Sequence, residues 1–165
     1  MRNFFLAALL AAFSSTASAT PLGLIDFFDE ASHHMAEVVC LADTIYFEAR
    51  GEARLGRQAV AHVTINRSES RHFPETICAV VHFRKGSTCA YSWTCNRQPI
   101  RDQDAYQDAI DMAWTIYKQR VLEGKNDNVT HGSTHFHNQT VSNPWEGYRQ
   151  TVVIGSHTFY RRSRG

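Results

Sequence analysis

From Met35 to Arg50 the apolar residues recur at helical spacing. Val38, Leu41, Ala42, Ile45 and Ala49 fall three or four positions apart on one face, and Gly51 ends the run. Leu55 to Arg67 repeats the pattern, with Leu55, Ala59, Val60 and Val63 on one side, and predicts a second helix. Pro74 suits the first turn of a third, where a missing N–H costs nothing; Ile77, Val80 and Val81 are its core residues. Phe83 to Arg101 holds Gly, Ser, Thr, Asn and Pro without a period and reads as a long loop, a kind of segment that tends to carry function. Asp102 to Leu122 is expected to be the longest helix, capped by Asp102, stopped near Gly124, and buried along Ala105, Ala109, Met112, Ala113, Ile116 and Tyr117.

The period then shortens. Thr134–His137, Thr151–Ile154 and His157–Tyr160 read as strands, with Gly155-Ser156 as a turn. No repeat or low-complexity linker interrupts the chain. The expected class is α+β, with a helical N-terminal part and a small C-terminal antiparallel sheet.

The first residues stand apart from this pattern. A basic Arg2, an uncharged apolar run from Phe4 to Phe13 and small residues at Ala17-Ser18-Ala19 predict a secretory signal peptide over residues 1–19. The run is short of the roughly 20 apolar residues that a membrane span needs. Export to the periplasm or beyond is therefore expected, with no stable membrane insertion after cleavage. Residues 20–34 form a lead-in, in which Asp26 can cap a turn carrying Phe27 and Phe28, and residues 35–165 form one domain. A net charge of +1 without a basic block leaves no electrostatic footprint for nucleic acid. Cys40, Cys78, Cys89 and Cys95 are even in number, so an oxidising compartment predicts one or two disulfides, with three pairings open. Cys89 and Cys95 are close enough to pin the loop that carries Tyr91 and Trp93. No Cys-x-x-Cys spacing supports a zinc site.

Candidate chemistry starts at Glu48. It lies three residues after Ile45 and seven after Leu41, so it borders the apolar stripe. A carboxyl group there loses solvation on ionising, its pKa rises, and it can protonate a glycosidic oxygen. Glu52 follows four residues later and shares that face, unless Gly51 turns it into the next loop. Arg50, Arg54 and Arg57 offer Glu48 ordinary ion pairs instead. His135 and His137 alternate by two and face one side of a strand, where His157 and His131 could join them as a metal site or a polar groove wall. No His-Glu-x-x-His pattern accompanies them. Tyr91, Trp93, Trp145, Tyr148 and Tyr160 supply rings that stack on the C–H faces of sugars, or pack the core. A Cys–His hydrolase is less favoured, because four cysteines in an exported chain pair.

Together, Tyr46-Phe47-Glu48-Ala49-Arg50-Gly51-Glu52, Gln58-Ala59-Val60-Ala61, Asn66-Arg67, Phe73-Pro74, Cys89 to Cys95, Thr134 to His137, Pro144-Trp145 and Gly155 to Tyr160 resemble the cell-wall hydrolases of the SleB/CwlJ type. The resemblance covers nearly all of the chain after the leader. It implies a lysozyme-like α+β fold and peptidoglycan glycan strands as the partner, cut between N-acetylmuramic acid and N-acetylglucosamine. It also implies Glu48 as the catalytic acid. The implied mechanism is transglycosylation by one acid, which calls for no cofactor and no metal; hydrolysis stays open, with Glu52 as the second carboxylate. Glu52, Arg50, Tyr91, Trp93, His135, His137, Trp145 and His157 are then expected to bind substrate or support the site. Many relatives carry Asp-Gly after the second loop cysteine, whereas this chain has Asn96-Arg97. No separate wall-binding repeat is read from the sequence, so the domain is expected to find the wall alone or through a partner, and a protein activator is one such partner. Two other readings stand beside this one: a non-catalytic peptidoglycan-binding module, and a metal-dependent amidase using His135, His137 and His157.

Overall fold

The structure, a computed structural model, describes residues 21–96, 98–140 and 145–163. The expected leader, Arg97 and Pro144 lie outside the described residues. The order is α1 (Pro21–Ala49), α2 (Arg54–Ser68), α3 (Ile77–Val81), β1 (Arg84–Lys85), β2 (Thr88–Cys89), α4 (Ser92–Cys95), α5 (Gln103–Tyr117), a π-helical turn (Lys118–Leu122), β3 (His135–Asn138), β4 (Tyr148–Ile154) and β5 (His157–Arg162). Among the described residues no helix is long and apolar enough to cross a membrane.

The stripe on α1 packs as its spacing predicts. Val38, Leu41, Ala42 and Ile45 are buried against Ala61 and Ile65 of α2, Val80 and Val81 of α3, and Ala109 and Ala113 of α5. Several boundaries differ from expectation. The lead-in is helix continuous with α1, so Asp26 lies inside the helix and caps nothing. Ile25, Phe27 and Phe28 are exposed there. Leu55 is also exposed, because it sits in the first turn of α2 before the helix reaches the core. Pro74 precedes α3 instead of opening it: Thr76 is the cap, its hydroxyl accepting from Ala79 N–H at 3.2 Å. Asp102 caps α5 as expected, accepting from Ala105 N–H at 3.0 Å. The long loop contains a two-stranded ribbon, β1–β2, and the short α4.

The C-terminal sheet is antiparallel in the order β3-β5-β4. Its inner face meets α2 through Phe159 and Ile154 against Ala59 and Val63. Disulfides join Cys40 to Cys78, tying α1 to α3, and Cys89 to Cys95, closing the loop around α4.

A buried polar network fastens the segment before β3 to α2. Asn66 donates to the Ser133 carbonyl at 2.7 Å and to Thr130 Oγ1 at 3.1 Å. Arg120, carried inward by the π-helical turn, pairs with Glu69 at 2.8 Å and donates from Nη1 to His62 Nδ1 at 3.1 Å. Burial, reinforced by Arg120, lowers the His62 pKa to about 4. The unfolded chain takes up this proton near 6.5, above the folded value, so the stability tied to neutral His62 is present above that point and is lost as pH falls toward 4. Acidification from about pH 7 to about pH 5 should cost about 2 kcal/mol at this site. Melting His62→Gln beside the parent across that window checks it; an unchanged pH slope in the variant would sink the assignment.

Candidate active site

Glu48 occupies the last turn of α1, between half-buried Phe47 and buried Ala49. Burial raises its pKa, and the nearby Arg67 guanidinium opposes the rise. Arg67, not one of the arginines adjacent in sequence, is thus the cation acting on this carboxyl. Arg50 is exposed and lies over the Tyr46 ring at 5.0 Å.

Arg67 ends α2. Its Nε donates to the Thr134 carbonyl at 2.7 Å, and its guanidinium lies 5.5 Å from the Phe73 ring and 4.9 Å from the Tyr91 ring. Tyr91 is buried beneath it, with its hydroxyl 2.8 Å from Thr64 Oγ1, so it supports the site from below. Trp93, brought round by the Cys89–Cys95 closure, stacks on Phe47 at 4.8 Å. Cavities of about 290 Å³ and about 340 Å³ flank this stack, the second lined in part by Arg50.

The helix stops at Ala49, and beyond Gly51 the Glu52 side chain reaches the β4–β5 turn. Its carboxylate accepts from the Ser156 hydroxyl and from Ser156 N–H at 3.2 Å, and stands 3.8 Å from His157 Nδ1. The Ser156 hydroxyl is the main reason its pKa is lowered. Two glycines make room for it. A Cβ on Gly56 would lie 2.9 Å from Glu52 Cβ, and one on Gly155 would overlap Glu52 Oε2. Gly155 also has φ +58°. The two glutamates therefore have opposite environments: Glu48 favours its proton, and Glu52 is held ionised.

The sheet register sorts the histidines. His135 pairs with Tyr160 and His137 with Thr158, placing both histidines on one face; His157 pairs with Asn138 on the other. His157 contacts Phe136 at 5.2 Å. The three do not converge, and among the described residues no group of three His, Cys, Asp or Glu side chains is placed to hold a metal ion. On the outer face, His135 lies 4.4 Å from Tyr148 and 4.9 Å from Trp145, while His137 stacks on Tyr160 at 5.0 Å. Burial, aided by Arg67, lowers the His135 pKa to about 4 and keeps the ring neutral. His135, Trp145, Tyr148, His137 and Tyr160 thus form one aromatic platform.

Sequence reasoning named the members of this platform singly but gave no site role to Arg67, Phe73, Ser156 or the two glycines. The available signal for Ser156 was the Gly-Ser turn itself, whose backbone N–H and hydroxyl suit an anion.

A family model described as Cell Wall Hydrolase matches residues 51–160, a span that opens three residues after Glu48. The spore cortex-lytic enzyme of Bacillus cereus is 29% identical over 126 residues, covering 74% of this chain and 43% of that one. The spore cortex-lytic enzyme of Bacillus subtilis is 30% identical over 125 residues, covering 74% of this chain and 37% of that one. The chain thus spans less than half the length of these curated relatives. Among solved structures, the catalytic domain of the Bacillus cereus SleB protein matches with a TM-score of 0.55 at 25% identity, covering 76% of this chain and 89% of that one. The catalytic domain of the germination-specific lytic transglycosylase SleB from Bacillus anthracis shares the fold, with a TM-score of 0.53 at 24% identity and coverage of 76% and 93%. The α+β, lysozyme-like architecture is that of the SleB catalytic domain, and with the model match across most of the chain it leads to one assignment: this protein belongs to the cell wall hydrolase family.

Proposed function

We propose that the protein is an exported enzyme that cuts the glycan strand of peptidoglycan between N-acetylmuramic acid and N-acetylglucosamine, as a lytic transglycosylase with Glu48 as both acid and base. The observation that carries this reading is the contrast between the two carboxyls. Glu48 sits where burial favours its proton, and Glu52 is occupied by Ser156. Hydrolysis calls on a second carboxylate, about 5–5.5 Å away for retention or about 6.5–9.5 Å for inversion, to act on the sugar or on water. A single acid suffices if the attacking group is already in the substrate.

The steps balance without water. Glu48 gives its proton to the glycosidic oxygen as the bond from the muramyl anomeric carbon to that oxygen breaks, and the N-acetylglucosamine leaves as an alcohol. The resulting carboxylate takes the proton of the muramyl C6 hydroxyl, and O6 bonds to the anomeric carbon as a 1,6-anhydro ring. Glu48 ends protonated, ready for another turn. The Phe47–Trp93 stack and the platform around Trp145 supply faces for the neighbouring sugars.

The family membership and the spore cortex-lytic relatives support peptidoglycan as the substrate. The amidase reading needs His135, His137 and His157 together, and the sheet separates His157 from the other two.

Digesting purified peptidoglycan with the protein and weighing the fragments tests the proposal. Muropeptides lighter by one water than hydrolysed ones, with no reducing end, are expected. Reducing ends throughout would replace transglycosylation by hydrolysis.

A further inference from the structure

Arg67 is only 8% exposed, yet among the described residues no carboxylate forms an ion pair with it. Its Nη1 has no hydrogen-bond partner. A buried guanidinium held by one carbonyl, two ring faces and the Tyr91 hydroxyl, with no anion against it, is an incomplete arrangement, because buried charges are ordinarily paired. The side chain borders a cavity of about 290 Å³ that is also lined by Phe73, Phe83, Lys85, Thr88 and Trp145. Lys85 and Thr88 are partners across the β1–β2 ribbon, so an ammonium and a hydroxyl come from adjacent positions of one wall. Among the described residues no acidic side chain lines the cavity. Two cations, one hydroxyl and several rings suit an anion carried on a body with apolar faces.

We propose that this cavity is a carboxylate subsite, taking the acid group on the 3-O-lactyl branch of the muramyl residue. The proposal rests on the peptidoglycan reading above and refines it. The carboxylate comes from one of two sources, the lactyl group itself where the peptide has been removed, or the peptide stem where it remains. Arg67 provides the buried charge, Lys85 and Thr88 provide donors at the wall, and Trp145 covers the sugar. Seating the anion there also offsets the one cation that acts on Glu48, leaving burial to hold the catalytic proton.

The test is calorimetric binding to the Glu48→Gln protein, which does not consume its ligand. The ligands are amidase-trimmed glycan strands with free lactyl carboxylates, and peptide-bearing strands, each compared with the same strands after conversion of their carboxylates to methylamides. Free carboxylates should bind about tenfold more tightly in at least one pair, and the pair that shows it identifies the source. Lys85→Gln, at an exposed position, should reduce that ratio to about threefold, and Arg67→Gln should bring it near one. Should Arg67→Gln fail to fold, the parent ratio and Lys85→Gln still decide the matter. Equal affinity for free and blocked strands, in a protein whose parent cuts wall, overturns the subsite alone. No binding to any strand, from a parent that also leaves wall intact, overturns the peptidoglycan reading and the subsite with it.

Discussion

Glu48→Gln should slow glycan cleavage by a factor on the order of 1000, while the protein folds and still binds wall. Glutamine keeps the size and shape of the side chain but has no carboxyl proton to give and is too weak a base to take one back. The fold should not suffer, and the sign can be worked out. Burial raises the folded pKa of Glu48 above its usual value of 4.5, so the folded state holds this proton more tightly than the unfolded chain does. The resulting penalty grows as pH rises from the unfolded value through the folded one and is fully present above it. Glutamine removes that penalty, so the variant should melt no lower than the parent at neutral pH. Rates on purified peptidoglycan and melting curves of both proteins decide the matter. Parental cleavage by the variant would remove Glu48 from the mechanism. Lost activity with a lowered melting point would point to damage instead of chemistry.

Gly155→Ala should destabilise the protein by about 3 kcal/mol and lower its melting temperature by about 6–12 °C. Two costs combine. An alanine at the observed φ of +58° is strained by about 1–2 kcal/mol. Its methyl group also overlaps Glu52 Oε2, and displacing that carboxylate breaks two charge-assisted hydrogen bonds to Ser156. Cleavage should fall as well, because Glu52 ties the segment leaving Glu48 to the β4–β5 turn. The two costs separate in combination with Glu52→Ala, which opens space for the methyl group; the double variant should be more stable than the sum of the single losses implies. Melting of Gly155→Ala within a degree or two of the parent would show that Glu52 can relocate cheaply.

The parts of the fold most legible in the sequence were those with a repeating apolar period. The α1 stripe, the body of α5 and the three strands were placed because each buries a face of fixed spacing. The helical lead-in escaped notice because Ile25, Phe27 and Phe28 are exposed and mark no face. The β1–β2 ribbon has two residues per strand, too few for an alternation to register. In the site, Glu48 was visible from its place beside the stripe, whereas the role of Glu52 depends on a turn 104 residues away. Arg67 stood out in the sequence only as part of the Asn66-Arg67 motif, because its unpaired burial is a property of the assembled α2, β3 and aromatic neighbours. The cysteine pairing was likewise closed to the sequence, since Cys40 meets Cys78 only once α1 and α3 pack.

The length of α1 also sets a distance. Glu48 is in the last turn of a helix of 29 residues that begins at Pro21, and at 1.5 Å per residue the two lie about 40 Å apart. The far end rises beyond the core, with Phe27 and Phe28 exposed along it. Residue 21 and the acid are thereby kept at the two ends of one rod, and the exposed part of that rod adds length without adding to the core.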